Sequence, residues 1–378
     1  MHTNDFSIES LDLPRLQAIG LSPRLIGRLA DMPTDAPEGE RPELLRVTEV
    51  LREGLRLHDG HSEHPARLRP ALRQSLADQS DAIAVGDWVL ASTNTLHERW
   101  VYARVPPTTQ LARRLHDGRD KLTRVVIVSN VDTAVLAMGL DMDFSPRRLE
   151  RYLALAQLAE VTPLVVLTKA DLCDDAETRL RAVQAILPAG AAAVALNALG
   201  SEARQQLAPW LVAGQTLVLL GSSGAGKSTL TNALAYSAAA AGDAAQPVQV
   251  TGANRAGDGR GRHTTTARSL HITPEGACIV DTPGLRTLRL DGDPQALGAA
   301  FDDIATLALQ CRFRDCRHED EPGCAVKAGV AGERLHSFHK LMREARRDTL
   351  TALERKVQVS QWKARGRAAR VRVQAKRG

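Results

Sequence analysis

The sequence predicts an α/β chain: a mainly parallel sheet flanked by helices, with a small β-barrel before it and a helical metal-binding module after it. Three observations carry that prediction. Between residues 122 and 292, continuous apolar runs of strand length alternate with helical segments, the texture of a parallel sheet covered on both faces. Between 45 and 112 the runs are shorter, rich in β-branched and aromatic residues, and set apart by turn residues. Beyond residue 310, cysteines and a histidine crowd a stretch without strand character.

Taken in order, residues 1–44 form an N-terminal extension. The amphipathic "LPRLQAIGLSPRLIGRLA" predicts a peripheral helix or two, and "DMPTDAPEGERPE" a linker. Residues 45–115 hold "LLRVTEVL", "AIAVGDWVLAS" and "RWVYARVPP", with Gly86 and Asp87 turning the chain into the second run. Short strands packed this densely suggest a small barrel, although the first run is equally compatible with a helix. The sheet domain, 120–292, has strand candidates at 124–129, 134–139, 163–168, 192–196, 216–221, 268–273 and 277–282. Its first helix is punctuated by Ser145 as N-cap and Pro146 at N1, with Leu149, Leu153, Ala156 and Leu158 as its apolar face. Residues 293–358 read as helices around the Cys/His cluster, and 359–378 as a basic tail.

Composition narrows the function classes. A chain of 378 residues with 43% apolar and 25% charged residues is ordinary globular material for two or three domains. The start "MHTNDFSIES" has no export signal, and no apolar run is long enough for a bilayer, so a cytoplasmic chain without membrane contact is expected. In a reducing compartment, close-set cysteines point to metal rather than to disulfides. The net charge of +5 is concentrated in "QWKARGRAARVRVQAKRG", which has no acidic residue and suggests an RNA partner.

The chemistry begins at "GSSGAGKST", residues 221–229, which fits G-x-x-x-x-G-K-[ST] and lies between an apolar strand and a helical run. Gly221, Gly224 and Gly226 let the backbone of Ser222, Ser223 and Ala225 curl its N–H groups toward phosphates, and the helix N-terminus opening at Ser228 and Thr229 adds partial positive charge. Lys227 is expected to reach the β- and γ-phosphates, and the Ser228 hydroxyl to bind Mg²⁺. "DTPG" at 281–284 ends a strand, where Asp281 would hold the same ion and the Gly284 N–H would meet the γ-phosphate.

"TKAD", residues 168–171, selects the base. The Asp171 carboxylate can accept from both donors of guanine, N1–H and the exocyclic amine, whereas adenine offers no such pair, so an Asp171 expected to be buried would reject ATP by leaving its charge unpaired. Lys169 would pack over the ring, Thr168 begins the motif, and "NALG" at 197–200 would offer backbone to the guanine O6. Yet this motif precedes the phosphate loop. Read circularly from that loop, the order of an ordinary GTPase returns, so the domain is predicted to be circularly permuted. Because domain termini commonly lie close together, joining them and cutting elsewhere preserves the site. The cut leads from DTPG straight into the Cys/His module, which would couple nucleotide state to a partner-binding domain.

"GRGRHTTTARSL", 259–270, falls where the first switch loop belongs. One of its threonines would bind Mg²⁺; Thr265 is preferred, with Thr264 and Thr266 open. Leu285 stands where a water-orienting glutamine would, and a leucine cannot orient water. Intrinsic hydrolysis should therefore be slow, with His263 the internal candidate for the missing polar group.

Cys311, Cys316, His318 and Cys324 have the C-x4-C-x-H-x5-C spacing of a closed tetrahedral zinc site, structural because no position stays open, with one zinc per chain. Arg312, Arg314 and Arg317 lie between the ligands, available to phosphates. Cys173 and Cys278 stand alone and read as ordinary core or strand residues.

TKAD before GSSGAGKST, then GRHTTT, DTPG and this zinc pattern resemble the RsgA/YjeQ family of small-subunit-dependent GTPases over roughly residues 45–360. The resemblance implies an N-terminal OB-fold, a permuted P-loop GTPase domain and a C-terminal zinc domain. It implies GTP hydrolysis to GDP and phosphate in late maturation of the small ribosomal subunit, stimulated by that subunit; its rRNA is an expected partner, and a monomer is expected. The first 40 residues and the basic tail are additions to the family pattern, and Thr168 replaces the commoner Asn. Two alternatives belong to other classes. A nucleotide-regulated RNA-binding module with incidental hydrolysis would bind the subunit without turnover, and an ATP-dependent P-loop kinase would have no need of TKAD.

Overall fold

The computed structural model describes residues 8–32, 40–116, 122–188, 190–199, 202–235, 268–282, 297–298 and 301–349. The chain divides into two compact units, one of residues 1–113 and 124–288 and the other of 114–123 and 289–378.

The first unit opens with two short helices, α1 (Leu13–Gln17) and α2 (Pro23–Ala30). Each is set by its cap: the Asp12 carboxylate accepts from Arg15 N at 3.2 Å, and the Ser22 hydroxyl from Leu25 N at 3.4 Å, with proline in the first turn. They are followed by the barrel strands β1 (Pro42–Val50), β2 (Leu55–His58), β3 (Glu63–Leu68), β4 (Trp88–Thr93) and β5 (Arg99–Arg104), with helix α3 (Pro70–Asp78) between β3 and β4. The order β1-β2-β3-β5-β4 closes when β4 pairs back onto β1 through Leu44↔Leu90 and Arg46↔Trp88. The run at 44–51, equally readable as helix, is thus strand. Its β-branched Val47, Thr48 and Val50 suit the pleat, and the alternation decides where each side chain goes. Leu45, Val47, Val89 and Ala91 fill the barrel, while Leu44, Trp88 and Leu90 face outward and are covered by Leu16, Ile19, Leu25 and Leu29 of the N-terminal segment. The extension is therefore part of a core.

Strands β6 (Gln110–His116) and β7 (Leu122–Ser129) pair only with each other, so the run at 124–129 lies outside the parallel sheet into which the alternation drew it. That sheet comprises β8 (Thr133–Gly139), β9 (Thr162–Thr168), β10 (Ala192–Ala195), β11 (Thr216–Leu220), β12 (Ser269–Ile272) and β13 (Cys278–Asp281). The order is β10-β9-β8-β11-β13-β12, parallel except for β12, which runs antiparallel to β13 and meets β1 at Ser269↔Glu49. The helices are α4 (Pro146–Leu158), α5 (Ala176–Gln184), α6 (Glu202–Leu207) and α7 (Lys227–Ala235). The last two cover one face, where Ala203, Leu207, Leu230 and Leu234 pack on Val135, Leu164, Leu217 and Ile279. A parallel sheet presents the C-terminal ends of its strands along one edge, and here that edge carries Gly139, Thr168, Leu220 and Asp281.

In the second unit, helices Asp302–Ala308, Ala325–Gly329 and Gly332–Thr349 surround the Cys/His segment. Phe301 and Phe338 meet edge to face at 5.3 Å between centroids, and Ile304, Val326 and Leu341 complete a small core. No helix among the described residues is long and apolar enough to cross a membrane.

Candidate functional site

The phosphate-binding pattern lies between β11 and α7, at the C-terminal edge of the sheet. Gly224 and Gly226 have φ of +86° and +81°, which a side chain resists. Gly221 is confined by packing instead, since a Cβ there would lie 2.3 Å from the Ala137 carbonyl. Lys227 is 7% exposed and its Nζ donates to the carbonyls of Gly221 at 3.0 Å and Ser222 at 2.6 Å. Burial pulls this ammonium below its ordinary value, opposed by the charges of Asp281 and Asp143. The loop forms a cradle closed by its own lysine, and the residues fit a phosphate group.

The TKAD motif ends β9 and meets that loop. The Thr168 hydroxyl donates to the Ala225 carbonyl at 2.9 Å, across 57 positions of sequence, and the Thr168 side chain fills the space a Cβ on Gly226 would need. Lys169 adopts a left-handed φ of +61°, opening a single 3₁₀ turn, Ala170–Leu172, that holds Asp171 exposed to solvent and not buried as expected, because the turn projects beyond the end of β9. The Ala170 N–H donates to the Leu196 carbonyl at 3.3 Å, which brings the segment around Asn197 and Ala198 alongside the turn.

On the other side of β11, the parallel register places Leu219 beside Asp281. The Thr282 hydroxyl ties the end of β13 to β11 by donating to the Leu219 carbonyl at 2.6 Å. Asp281 is 2% exposed at the end of β13 and close enough to Lys227 for its charge to raise that ammonium, while Ser228 follows Lys227 in the first turn of α7.

Two residues that the motifs did not indicate also belong to this edge. In the loop after β8, Asp141 Oδ2 lies 2.6 Å from Lys169 Nζ, and Asp143 Oδ1 accepts from the Ser222 hydroxyl at 2.5 Å. Burial alone would raise the Asp141 carboxyl, but the hydrogen bonds from Lys169 and the Asp143 N–H hold it below the ordinary range. The sequence signal was the acidic pair in "GLDMDFSP" at the end of a buried strand. It matches no phosphate or base pattern, so only the fold relates it to the site.

In the second unit the ligand atoms of Cys311, Cys316, His318 and Cys324 all lie within 4.8 Å of one another. The Cys311 and Cys324 sulfurs are 3.9 Å apart, and His318 Nδ1 lies 3.6 and 3.5 Å from them. Tetrahedral zinc with Zn–S near 2.3 Å and Zn–N near 2.05 Å requires edges of about 3.8 and about 3.6 Å, so the donor set fits zinc. Arg312, Arg314 and Arg317 are exposed around it, and Phe313 is 41% exposed beneath the Arg312 guanidinium. Of the lone cysteines, Cys278 is buried in β13 while Cys173 is partly exposed, its thiol donating to Asp175 at 3.0 Å.

His263, Thr264, Thr265, Thr266, Gly284, Leu285 and the basic tail lie outside the described residues.

Residues 105–291 match the family described as RsgA GTPase. Among similar proteins, the "Small ribosomal subunit biogenesis GTPase RsgA" of Xylella fastidiosa (strain M23) is 44% identical over 280 residues, 73% of this chain and 79% of that protein. The protein of the same name from Mesorhizobium japonicum is 45% identical over 282 residues, 73% and 78% of the two chains. Among solved structures, YjeQ from Thermotoga maritima aligns with a TM-score of 0.58 at 24% identity, covering 80% of this chain and 98% of that one. YloQ, described as a circularly permuted GTPase, aligns at 0.54 and 23% identity, covering 84% and 99%. These structures share the permuted fold.

Proposed function

The chain belongs to the RsgA GTPase family, and from that membership we propose that it binds the small ribosomal subunit, acts late in its maturation and hydrolyses GTP to GDP and phosphate under stimulation by the subunit. The names of its relatives support the process. The observation that carries the nucleotide reading is the hydrogen bond from Thr168 to Ala225, because it joins the base-reading and phosphate-binding motifs despite their reversed order.

Each residue then has an assigned task. Asp171 accepts the two guanine donors, Lys169 covers the ring, and Asn197 and Ala198 border the base. Residues 221–229 and Lys227 hold the phosphates, and Gly284 meets the γ-phosphate. Mg²⁺, when bound, neutralises phosphate charge; Ser228 and Asp281 are assigned as its protein ligands, with Thr265 completing the set in the GTP state. Leu285 supplies no polar group to a water molecule, so His263 is assigned that role, and turnover of the isolated chain is slow. A His263→Ala variant with undiminished subunit-stimulated turnover would remove that assignment. The Cys311, Cys316, His318 and Cys324 set holds one structural zinc, and the exposed Arg312, Arg314 and Arg317 meet rRNA phosphates together with the barrel and the basic tail. The protein works as a cytoplasmic monomer.

The deciding experiment is turnover of GTP and ATP with and without purified small subunits, at low and high salt. GTP turnover that rises strongly with subunits, falls at high salt and has no ATP counterpart is expected. Subunit binding without turnover would favour a nucleotide-regulated RNA-binding module, and equal use of ATP would overturn the assignment of Asp171.

A further inference from the structure

The loop between β8 and α4 holds both ends of the nucleotide site. Asp141 Oδ2 lies 2.6 Å from Lys169 Nζ at the base end, and Asp143 Oδ1 accepts from the Ser222 hydroxyl at 2.5 Å at the phosphate end. The two acids are joined by the Asp143 N–H, which donates to Asp141 Oδ1 at 3.0 Å. The loop is itself anchored. Arg148 pairs with Asp143 Oδ1 at 2.6 Å, the Gly139 N–H donates to Asp143 Oδ2 at 3.3 Å, and Arg179 donates to the Leu140 carbonyl at 3.2 Å while lying over the Phe144 ring at 5.0 Å. Met142, between the two acids, is fully exposed, so the segment is held by its polar groups and not by burial of that side chain.

Ser222 is thereby fixed from two sides. Its hydroxyl is held by Asp143 and its carbonyl by Lys227 Nζ. Releasing the hydroxyl frees the peptide that helps cage the lysine, at the point where the loop must present N–H groups to phosphate. The neighbouring Arg148 offsets part of the Asp143 charge, and the hydrogen bond to Ser222 is the link through which Asp143 sets the geometry of the phosphate loop.

We propose that Asp143 and Asp141 are positioning residues: through Ser222 and Lys169 respectively, the 141–143 segment braces the phosphate and base ends of the nucleotide site as one unit. The proposal rests on reading the site as one for guanine nucleotides. It assigns different ends to the two acids, and that difference makes it testable.

The test is equilibrium binding of GDP, GMP and ADP to the full-length wild-type protein and to Asp143→Ala, Ser222→Ala, the double variant, Asp143→Asn and Asp141→Ala. Losing the hydrogen bond to a charged acceptor should weaken GDP about tenfold in Asp143→Ala and in Ser222→Ala. The double variant should be no weaker than either, because both changes break one link. GMP, which lacks the β-phosphate near Lys227, should lose less than threefold in the same variants. Asp143→Asn keeps an acceptor for the hydroxyl and should bind GDP within threefold of wild type. Asp141→Ala should weaken GDP and GMP by the same factor. Retained GMP binding also reports that the variants are folded. Additive losses in the double variant, equal losses of GDP and GMP in Asp143→Ala, or unchanged GDP binding in Ser222→Ala would overturn the brace. Wild-type protein that binds ADP as well as GDP would instead overturn the guanine-nucleotide reading.

Discussion

The Thr168 hydroxyl donates to the carbonyl of Ala225 at 2.9 Å, so the residue that opens the base-reading motif holds the loop that grips phosphate. Both groups are buried, and the Ala225 carbonyl has no water to replace a lost partner. Thr168→Val keeps the shape and removes the donor. Guanine-nucleotide affinity should fall about tenfold, from an uncompensated buried acceptor worth roughly 1–3 kcal/mol. Thr168→Ser should stay close to wild type. Titration calorimetry with GDP gives both values; equal affinity in the Val variant would show that the contact does not position the loop.

What was legible in the sequence followed from chemistry that uses short contiguous segments. A phosphate loop needs glycines and a lysine at fixed spacing, and a zinc knuckle needs its ligands within a few residues, so both could be read directly from the chain. Their reversed order with respect to TKAD could be read too, because order is a property of the chain. The loop carrying Asp141 and Asp143 was opaque, since its meaning comes only from the neighbouring strands β9 and β11. The placement of β7 failed for a related reason: apolar periodicity identifies a strand but does not choose its partner. The N-terminal helices were legible as helices, yet nothing in "LPRLQAIGLSPRLIGRLA" says that it covers Trp88.

Arg46 was the least predictable residue in the core. It lies on β1 with no exposed surface, donating to the Thr216 hydroxyl at 2.8 Å, to the Asn130 carbonyl at 3.4 Å and, through a very short contact, to the Ile19 carbonyl. Its guanidinium also lies 5.7 Å from the Trp88 ring centroid. One side chain therefore ties the N-terminal segment, the barrel and the strand leading into the phosphate loop. Desolvation pulls its pKa below the ordinary value, opposed by charges that include Asp132. Arg46→Ala strands those acceptors and should cost about 3–5 kcal/mol, the range for removing one partner of a buried charged network. Urea unfolding of the two proteins at one pH measures it, and a loss below about 1 kcal/mol would mean that the junction repacks.

Asp87, buried in the turn that leads into β4, gives a pH dependence of stability. Burial pushes its carboxyl up to about 6 despite Arg104, whose guanidinium is 3.7 Å away, the Ala84 N–H at 2.8 Å and the Ser129 hydroxyl. The folded chain thus keeps this proton at a pH where the unfolded chain, with an ordinary Asp value of 3.8, has released it. Stability from this group is complete below pH 3.8 and falls as pH rises to about 6, after which it is flat. The span corresponds to about 3 kcal/mol. Other groups titrate in the same window, so the measurement is the difference between wild type and Asp87→Asn. The advantage of the variant should grow as pH rises from 4 to 6 and then hold constant; a constant difference throughout would show that Asp87 titrates normally.

The Cys/His set should decide whether the second unit folds at all. Among the described residues its apolar core rests on few large side chains, chiefly Phe301, Ile304, Val326, Leu335, Phe338 and Leu341, and so small a core seldom holds a chain without a metal or a cross-link. Cys311 Sγ, Cys324 Sγ and His318 Nδ1 already lie at the mutual spacing of three corners of a zinc tetrahedron, and the Cys324 sulfur also accepts the Lys327 N–H at 3.3 Å, which anchors the helix that follows. Binding free energy for such a site enters folding directly. Purified protein should carry one zinc per chain by elemental analysis. Cys316→Ser should lose that zinc, and the helices Ala325–Gly329 and Gly332–Thr349 should lose amide protection against hydrogen exchange. Full protection of those helices in a metal-free variant would show that the cluster is not what holds them.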